Sequence, residues 1–362
     1  MGGRTVSRFV LAAGGTGGHM MPAHALGAEL VRRGHGVALI TDARGMRFPG
    51  LFEGVETHVL PAGRLGGGLF GYLRAGRSIL AGRSEARRLF RSERPAAVMG
   101  FGGYPALPSL LAAFADKMPT AVHEQNAVLG RVNRLVAGRV NAVATAYPDV
   151  QRAKGNVRLV GNPVREEVLA LRDQPYPPLD TEGPFRVLVT GGSQGASILS
   201  EVVPEGLGLL PPLFRNRLQV THQARAEDIE RVRARYAELG IPAELATYLP
   251  DLPERLGRAH LVIARSGAST VAELAAAGRP AVLVPFAAAT DDHQTYNARE
   301  LVAAGGARAI PQGQFTAAEL AKQMEKLGLE PAALANAARR AWSVGRPNAV
   351  RDLADLIEEI GA

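Results

Sequence analysis

Short apolar runs alternate along the chain with longer stretches in which apolar positions recur every three or four residues. The short runs predict buried strands, and the longer stretches, such as 23–33 and 270–277, predict the helices between them. This alternation is typical of α/β proteins with doubly wound parallel sheets. The predicted strands are 9–13, 36–41, 96–99, 120–123, 142–144, 186–190, 218–221, 261–264 and 281–284.

One stretch interrupts the alternation near the middle of the chain. Residues 172–184 are rich in proline and turn-forming residues, show no periodicity, and come just before the strand at 186–190. At 362 residues, the chain is also longer than a single hydrophobic core usually organises. We therefore expect two α/β domains, with this stretch as the linker.

Two predicted strands, one in each half, run into similar glycine-rich loops. Residues 14–19 read Gly-Gly-Thr-Gly-Gly-His, residues 191–195 read Gly-Gly-Ser-Gln-Gly, and a helical pattern follows each. A strand, a glycine loop and a helix in this order gather backbone N–H groups at a helix N-terminus, which suits a phosphate. Neither loop completes the dinucleotide-binding or P-loop pattern, which disfavours NAD-dependent and ATP-hydrolysing functions. The loops instead predict two similar halves that face a shared cleft.

Composition narrows the kinds of partner and site. A formal net charge of +8 favours anionic partners such as nucleic acid, acidic lipid or phosphorylated substrates. The lack of cysteine excludes disulfides, thiolate metal sites and cysteine nucleophiles. His123 and Glu124 begin a zinc-protease motif whose second histidine is missing, so no metal site is expected. We find neither an apolar stretch long enough to span a membrane nor a signal-peptide pattern.

Four further segments combine glycine with polar residues, and most of them follow predicted strands. Ligands of open α/β sheets bind beyond the carboxyl ends of the strands, so these segments and the two glycine loops predict one composite cleft. The segments are 99–105, 123–133, 160–165 and 265–273.

Together these motifs resemble those of the MurG family, bacterial N-acetylglucosaminyltransferases within glycosyltransferase family 28. They follow the family's order and span nearly the whole chain. Each motif alone is modest, but the ordered set is highly specific. The matching motifs lie at 14–19, 100–105, 123–126, 161–165, 191–195, 265–273 and 285–298.

The resemblance implies a GT-B fold, in which two Rossmann-like α/β domains with parallel sheets flank a deep cleft. It implies an acceptor- and membrane-binding domain over 1–163, a UDP-GlcNAc-binding domain over 164–340, and a C-terminal helix over about 341–362 that packs back on the first domain. The implied reaction is inverting transfer of GlcNAc from UDP-GlcNAc to the C4 hydroxyl of MurNAc in undecaprenyl-pyrophosphoryl-MurNAc-pentapeptide (lipid I). The product is lipid II, used for peptidoglycan synthesis, and no cofactor or metal is obligatory.

The resemblance also carries over a set of residues that bind UDP-GlcNAc. Ser193 would contact the donor phosphates, Glu273 the ribose hydroxyls, and the backbone of Leu249 the uracil. Arg165 and Gln294 would reach the diphosphate and the sugar. The full set is Thr16, Gly17, Gly18, Asn126, Arg165, Ser193, Leu249, Gly267, Ala268, Ser269, Thr270, Val271, Ala272, Glu273 and Gln294.

Several of these residues have a purely structural alternative. Glu273 closes a good helix-capping box with Thr270. Arg165 would serve equally in a salt bridge at a domain hinge, and Asn126 is a common turn former. The loop at 16–18 is expected to approach the lipid I diphosphate or the reacting sugar.

Inverting transfer needs a general base that takes the proton of the acceptor hydroxyl. His19 is the leading candidate, because it lies at the exit of the first glycine loop and an imidazole titrates near neutral pH. Its alternative role is to orient the loop or a phosphate. Glu124 is the second candidate base.

Residues 64–94 carry eight arginines against two glutamates, with apolar residues between them. Basic residues beside exposed apolar ones suit an anionic bilayer surface. The resemblance to the family implies a peripheral protein at the cytoplasmic face of the bacterial membrane. Other cell-wall synthesis proteins are further conceivable partners there. The alternative is a solvated helix face over a buried apolar stripe. Nucleic acid is not expected as a partner, since no recognised motif or aromatic platform is present. The predicted patch is Leu69, Phe70, Leu73, Arg74, Arg77, Ile79, Leu80 and Arg83.

Three other functions remain open. The first is a different GT-B enzyme with a lipid acceptor, such as a diacylglycerol glucosyltransferase, and the second is a UDP-GlcNAc 2-epimerase. The acceptor-side motifs at 14–19, 100–105 and 123–126 argue against both. The third is a membrane-bound scaffold with a degenerate cleft, which the joint presence of His19, Ser193, Glu273 and Gln294 argues against.

Overall fold

The computed structural model describes residues 6–15, 17–47, 51–63, 68–192, 195–327 and 330–362, and only the backbone of Arg47, Leu69 and Tyr72. The chain forms two compact units. The first unit comprises the chain up to Pro163 together with Asn348–Ala362, and the second is Val164–Pro347.

Within its described residues, the first unit contains a seven-stranded parallel sheet in the order β3-β2-β1-β4-β5-β6-β7. The inner strands are buried on both faces, as expected where helices cover a parallel sheet. The strands are β1 Arg8–Ala12, β2 Gly36–Thr41, β3 Glu56–Val59, β4 Ala97–Gly100, β5 Thr120–Glu124, β6 Ala142–Thr145 and β7 Val157–Leu159. The helices between them are α1 Gly17–Arg32, α2 Gly68–Glu93, α3 Gly103–Ala115 and α4 Arg131–Val136.

The second unit repeats this plan, with six described strands in the order β10-β9-β8-β11-β12-β13. Its core lies between the sheet and helices whose apolar faces include Leu199 and Val203. The strands are β8 Phe185–Thr190, β9 Leu218–Gln223, β10 Ala243–Ala246, β11 Leu261–Ala264, β12 Ala281–Leu283 and β13 Ala307–Ala309. The helices are α5 Glu166–Leu169, α6 Ser197–Gly208, α7 Pro212–Arg215, α8 Ile229–Glu238, α9 Leu252–Arg258, α10 Ala268–Ala277, α11 His293–Ala303, α12 Ala317–Leu327 and α13 Pro331–Ser343.

In both sheets the strand order reverses direction next to the first strand. The chain leaves β1 toward β2 on one side and returns with β4 on the other, and β8, β9 and β11 repeat the pattern. The loops that follow two such neighbouring strands diverge and open a crevice at the carboxyl edge of the sheet. Each unit therefore has one built-in binding position, between β1 and β4 or between β8 and β11.

The last helix, α14 (Ala349–Gly361), belongs to the first unit. Leu353 and Ile357 enter its core beside α1. Arg33 donates hydrogen bonds to Asp355 and Glu358 at 2.5 and 3.0 Å. The expectation of one helix over about 341–362 was wrong, because Gly345 and Pro347 interrupt it between α13 and α14.

The sequence predicted that the proline-rich stretch 172–184 is the linker between the domains. This prediction was wrong, because the boundary lies between Pro163 and Val164. The stretch lies inside the second unit, where Tyr176 packs against the core and donates a hydrogen bond to the carbonyl of His260 at 2.7 Å. None of the helices in the described ranges is long and apolar enough to cross a bilayer.

Candidate functional site

The first glycine loop, between β1 and α1, is held by a buried carboxylate. Asp42, which follows β2, accepts hydrogen bonds from the backbone N–H of Gly15 at 3.2 Å and of Gly45 at 3.0 Å. A side chain at Gly14 would come within 2.8 Å of both Asp42 and Pro105, so the loop packs too tightly for any other residue there. Thr16 lies outside the described residues.

His19 lies in the first turn of α1, together with Gly17 and Gly18, because the helix begins six residues earlier than predicted. Its Nδ1 is 3.2 Å from the carbonyl oxygen of Gly14. A carbonyl only accepts, so this contact places the proton of the neutral ring on Nδ1 and makes Nε2 the basic nitrogen.

The imidazole of His19 lies against two glycines that follow β4. A Cβ on Gly102 would be 3.5 Å from Nε2 of His19, and one on Gly103 would be 3.3 Å from its Cε1. Both glycines have positive φ, +85° and +70°, a conformation that other residues rarely adopt. His19 is therefore at the crevice between β1 and β4, where ligands of such sheets bind.

Glu124, the second candidate base, is buried at the end of β5 and surrounded by donors. Its carboxylate accepts from the N–H and the Nδ2 of Asn126 at 3.1 and 3.2 Å, from the N–H of Gly130 at 2.8 Å, and from Nδ2 of Asn133 at 2.9 Å. Both oxygens are thus engaged in holding the loop that carries Asn126. The geometry favours an anchoring role for Glu124 over proton transfer.

His123 beside it is a neutral, buried histidine. Burial lowers the pKa of His123 to about 4, while its Nε2 donates to the carbonyl of Gly161 at 2.9 Å. Its Nδ1 accepts from Gln125 at 3.1 Å, and the same amide donates to the carbonyl of Phe101 at 3.1 Å. These contacts tie together the segments that follow β4, β5 and β7.

The second glycine loop joins β8 to α6. Ser193 and Gln194 lie outside the described residues, so the predicted phosphate contact of Ser193 is not placed. Gly192 donates its N–H to the hydroxyl of Thr190 at 3.2 Å, and its carbonyl accepts from Nε2 of Gln223 at 3.2 Å. The loop is fixed from both sides by side chains at the ends of β8 and β9.

Helix α10 starts at Ala268, directly after β11, with Gly267 as its N-cap. The residues predicted at 267–272 therefore form the cap and first turns of this helix, whose N-terminus lies at the crevice between β8 and β11. The exposed backbone N–H groups of such a terminus suit an anionic group.

The capping box predicted for Thr270 and Glu273 was wrong, because the helix begins two residues earlier than expected. Glu273 instead accepts a hydrogen bond from Nε of Arg165 at 2.8 Å. Burial raises the pKa of Glu273, and the charge of Arg165 opposes this shift. Both residues belong to the second unit.

Gln294 is the second residue of α11 and forms hydrogen bonds through both its side chain and its backbone. Its Oε1 accepts from the N–H of Phe286 at 3.0 Å, and its carbonyl accepts from the hydroxyl of Ser266 at 2.8 Å. Asn297, fully buried one turn later, donates to the carbonyl of Ser266 at 3.1 Å. Leu249, also buried, follows β10 and accepts from the N–H of Leu252 at 3.3 Å.

Sequence reasoning missed the polar side chains that hold these loops in place. They share one signal: each lies at or just beyond a strand end, or on the helix that packs there. Thr190 was read as part of a strand, and Asp42 and Gln223 lie just beyond predicted strands. Asn133, Ser266 and Asn297 lie within the motifs at 123–133, 265–273 and 285–298, but no role was assigned to them. The missed residues are Asp42, Asn133, Thr190, Gln223, Ser266 and Asn297.

Helix α2 carries the predicted membrane patch, of which the side chain of Leu69 is outside the described residues. Phe70 is 86% exposed, Leu73 56% and Leu80 63%, with Arg74 and Arg77 exposed among them. Ile79 and Arg83 are half-buried. The buried side chains of α2, which packs against α3, are others, namely Ala75, Ala86 and Phe90. The exposed residues form an apolar and basic stripe rather than a buried one.

Of the described residues, Glu56, His58 and Glu93 form one group that brings three possible metal ligands together. They lie on the edge strand β3 and at the end of α2, apart from every predicted site residue. The guanidinium of Arg8 pairs with both carboxylates. A cation of the protein itself therefore already offsets one of the two negative charges of the group.

Two Rossmann-like units, each with a glycine loop at its strand-order reversal, have the architecture of the GT-B glycosyltransferase fold. Residues 9–145 match the glycosyltransferase family 28 N-terminal domain and residues 186–357 match the glycosyltransferase family 28 C-terminal domain. The chain belongs to glycosyltransferase family 28.

Its similarity to individual members extends over nearly its full length. A protein of Zymomonas mobilis is 64% identical over 98% of this chain and 92% of its own length, and one of Novosphingobium aromaticivorans is 62% identical over 99% and 94%. Both are named UDP-N-acetylglucosamine–N-acetylmuramyl-(pentapeptide) pyrophosphoryl-undecaprenol N-acetylglucosamine transferase. The crystal structure of MurG from Acinetobacter baumannii matches with a TM-score of 0.82 at 30% identity, covering 98% of this chain and 99% of that one.

Proposed function

We propose that this chain transfers GlcNAc from UDP-GlcNAc to the C4 hydroxyl of MurNAc in lipid I, with inversion, to give lipid II for peptidoglycan synthesis. One observation carries this assignment: four relatives, 57 to 64% identical over at least 98% of the chain, bear the name of that transferase. Both halves of the chain match the family, so the domain proposed for the acceptor and the domain proposed for the donor are both present.

His19 is the proposed general base. Its contact with Gly14 directs Nδ1 into the loop, so Nε2 is the nitrogen that takes the proton of the acceptor hydroxyl. The glycines at 102 and 103 put no side chain against the ring on their side. Thr16, Gly17 and Gly18 would approach the lipid I diphosphate or the reacting sugar, and Asn126, held by Glu124, would contact GlcNAc.

The second unit would hold the donor. The N-terminus of α10 and the loop with Ser193 would bind the diphosphate and stabilise the charge of the leaving UDP without a metal. Glu273 would accept hydrogen bonds from the ribose, and Leu249 would read uracil through its backbone. Oε1 of Gln294 accepts a hydrogen bond from the backbone N–H of Phe286. The side-chain N–H groups of Gln294 are therefore the donors proposed for the sugar.

Arg165 has a more specific part in this arrangement than the resemblance implied. Its Nε is engaged with Glu273, so we infer that it orients that carboxylate for the ribose and opposes the rise in its pKa that burial causes. Its remaining N–H groups would add positive charge to the donor site.

For the membrane, we propose peripheral binding at the cytoplasmic face through α2. Phe70, Leu73 and Leu80 would enter the interface while Arg74 and Arg77 meet anionic headgroups. The net charge of +8 favours the same surface.

The test supplies the purified protein with UDP-GlcNAc and a lipid I analogue, with and without a metal chelator. We expect a lipid II analogue and UDP in equal amounts, at the same rate in both conditions. Release of the 2-epimer of the donor without transfer would identify the epimerase alternative, and transfer to diacylglycerol would identify the other lipid glycosyltransferase. A rate abolished by the chelator and restored by a divalent cation would overturn the metal-free mechanism.

A further inference from the structure

Gln223, the last residue of β9, makes three hydrogen bonds through one buried side chain. Thr190 lies 2.7 Å from its Oε1, the carbonyl of Gly192 lies 3.2 Å from its Nε2, and the carbonyl of Thr247 lies 3.3 Å from the same nitrogen. The three partners come from the ends of β8, the second glycine loop, and the segment after β10.

Elementary chemistry fixes the orientation of this amide. Carbonyl oxygens only accept, so the nitrogen must face Gly192 and Thr247, and the amide oxygen must face Thr190. The hydroxyl of Thr190 then donates to Gln223, and its oxygen accepts the N–H of Gly192. The peptide of Gly192 is thereby held at its N–H by one side chain and at its carbonyl by the other.

This arrangement has a consequence for an anion at the loop. A carbonyl that faces a phosphate repels it, so the loop must keep its carbonyls turned away from the ligand. Gln223 provides a partner for the carbonyl of Gly192 on the protein side.

The position of β9 explains why this residue reaches both segments. β9 lies between β8 and β10 in the sheet, so its carboxyl end stands between the loops that follow them. Gly192 belongs to the loop proposed for the diphosphate, and Thr247 comes two residues before Leu249, proposed to read uracil. One carboxamide thus connects the phosphate segment with the base segment.

We propose that Gln223 is a positioning residue for the nucleoside diphosphate, setting the spacing between the segment that binds the phosphates and the segment that reads the base. The inference rests on the proposed donor site. A ligand that engages two segments at once gains affinity only if their separation matches its own length. Gln223 touches neither phosphate nor base and acts through the two backbones.

The test replaces Gln223 by methionine, which keeps the length of the side chain and removes every hydrogen bond. Gln219→Met is the matched control, since Gln219 is exposed on the same strand. Calorimetry with UDP, uridine and inorganic pyrophosphate separates the whole ligand from its parts. We expect Q223M to weaken UDP binding by about tenfold, the effect of losing the two hydrogen bonds that join the carbonyls of Gly192 and Thr247. The affinity for uridine or pyrophosphate alone should change by about twofold or less. The KM for UDP-GlcNAc should rise while kcat is largely kept, and Q219M should match the wild type.

Two results would overturn the inference. Unchanged UDP binding in Q223M would show that the spacing does not depend on this residue. An equal loss of affinity for UDP, uridine and pyrophosphate, with a lower melting temperature, would show that Gln223 only maintains the fold. Gln223→Glu is the second variant: it keeps an acceptor for Thr190 but turns a carboxylate toward two carbonyls, so it should bind UDP more weakly than Q223M.

The same preparation separates this inference from the proposed function. Wild-type protein that binds UDP but transfers no GlcNAc to lipid I would contradict the proposed function and leave the role of Gln223 intact. If the wild-type protein binds UDP no more tightly than it binds uridine or pyrophosphate alone, the proposed role of Gln223 is contradicted.

Discussion

Arg165 donates from Nε to Oε1 of Glu273 across 2.8 Å, joining residues that are 108 positions apart in the chain. Burial raises the pKa of Glu273, and the guanidinium lowers it. Glu167 is the other charged group that acts on this carboxyl, and it raises the pKa further. The charge state of the proposed ribose ligand therefore depends on Arg165.

We predict that Arg165→Met makes donor binding sensitive to pH. Without the guanidinium, the carboxyl of Glu273 stays protonated to a higher pH, and a protonated carboxyl is a poorer acceptor for ribose hydroxyls. The KM for UDP-GlcNAc should therefore rise as pH falls, with a midpoint at a higher pH than that of the wild type. Steady-state kinetics from pH 5 to 9 measure this.

Arg233→Met, an exposed arginine on α8, is the control for that series. Parallel pH profiles for R165M and the wild type would contradict the proposed link between Arg165 and the carboxylate.

For the first unit, we predict that His19→Ala loses the chemical step and keeps the donor site. Removal of a general base typically costs about 10²- to 10⁴-fold in kcat. UDP affinity should be unchanged, because the proposed donor residues of α10 lie in the other unit. Turnover of lipid I analogue and calorimetry with UDP give the two values. His24→Ala, on the same helix, should retain turnover, whereas near-wild-type turnover in H19A would remove His19 as the base.

Glu124→Gln distinguishes an anchor from a base. The amide that replaces one oxygen turns N–H groups toward existing donors, so we expect a loss of about 1–3 kcal/mol in the free energy of unfolding. Urea denaturation measures it, with the exposed Glu53→Gln as the comparison. If E124Q unfolds like the wild type yet transfers no GlcNAc, Glu124 is acting in the chemistry after all.

The stripe on α2 predicts binding to anionic vesicles that depends on both charge and apolar area. Arg74→Glu with Arg77→Glu should weaken binding to phosphatidylglycerol vesicles by about tenfold or more, since each basic residue contributes about 1 kcal/mol. Phe70→Ser should also weaken it, without lowering the melting temperature, because the side chain is exposed. Vesicle sedimentation is the measurement.

The matched double reversal for this experiment is Arg233→Glu with Arg258→Glu, two exposed arginines of the second unit. Equal loss in both double variants would mean that net charge, rather than the stripe, drives the binding.

Sequence reasoning found the central strands and missed the edges. All nine predicted strands are present within two residues at each end, because a strand buried on both faces leaves a continuous apolar run. The four missed strands, β3, β7, β10 and β13, are all edge strands with mostly exposed or half-buried residues. Their alternation is too short and too polar to distinguish from a loop.

The true starts of α1 and α10 also left no clear signal in the sequence. α1 begins with two glycines and α10 follows a glycine cap, and glycine reads as a loop because of its low helix propensity. The motifs located the loops correctly, but long-range partners such as Asp42 for Gly15 and Arg165 for Glu273 leave no local signal. Those contacts became visible only once the strand ends were placed.

The return of α14 to the first unit bears on how the chain is made. Leu353, Leu356 and Ile357 complete a core whose other members, such as Phe9 and Leu11, precede the whole second unit in the chain. The whole second unit is therefore synthesised before the first unit can complete its core. A chain cut short before residue 349 would contain the whole second unit but an incomplete core of the first, so the setting of His19 depends on residues translated after the donor unit.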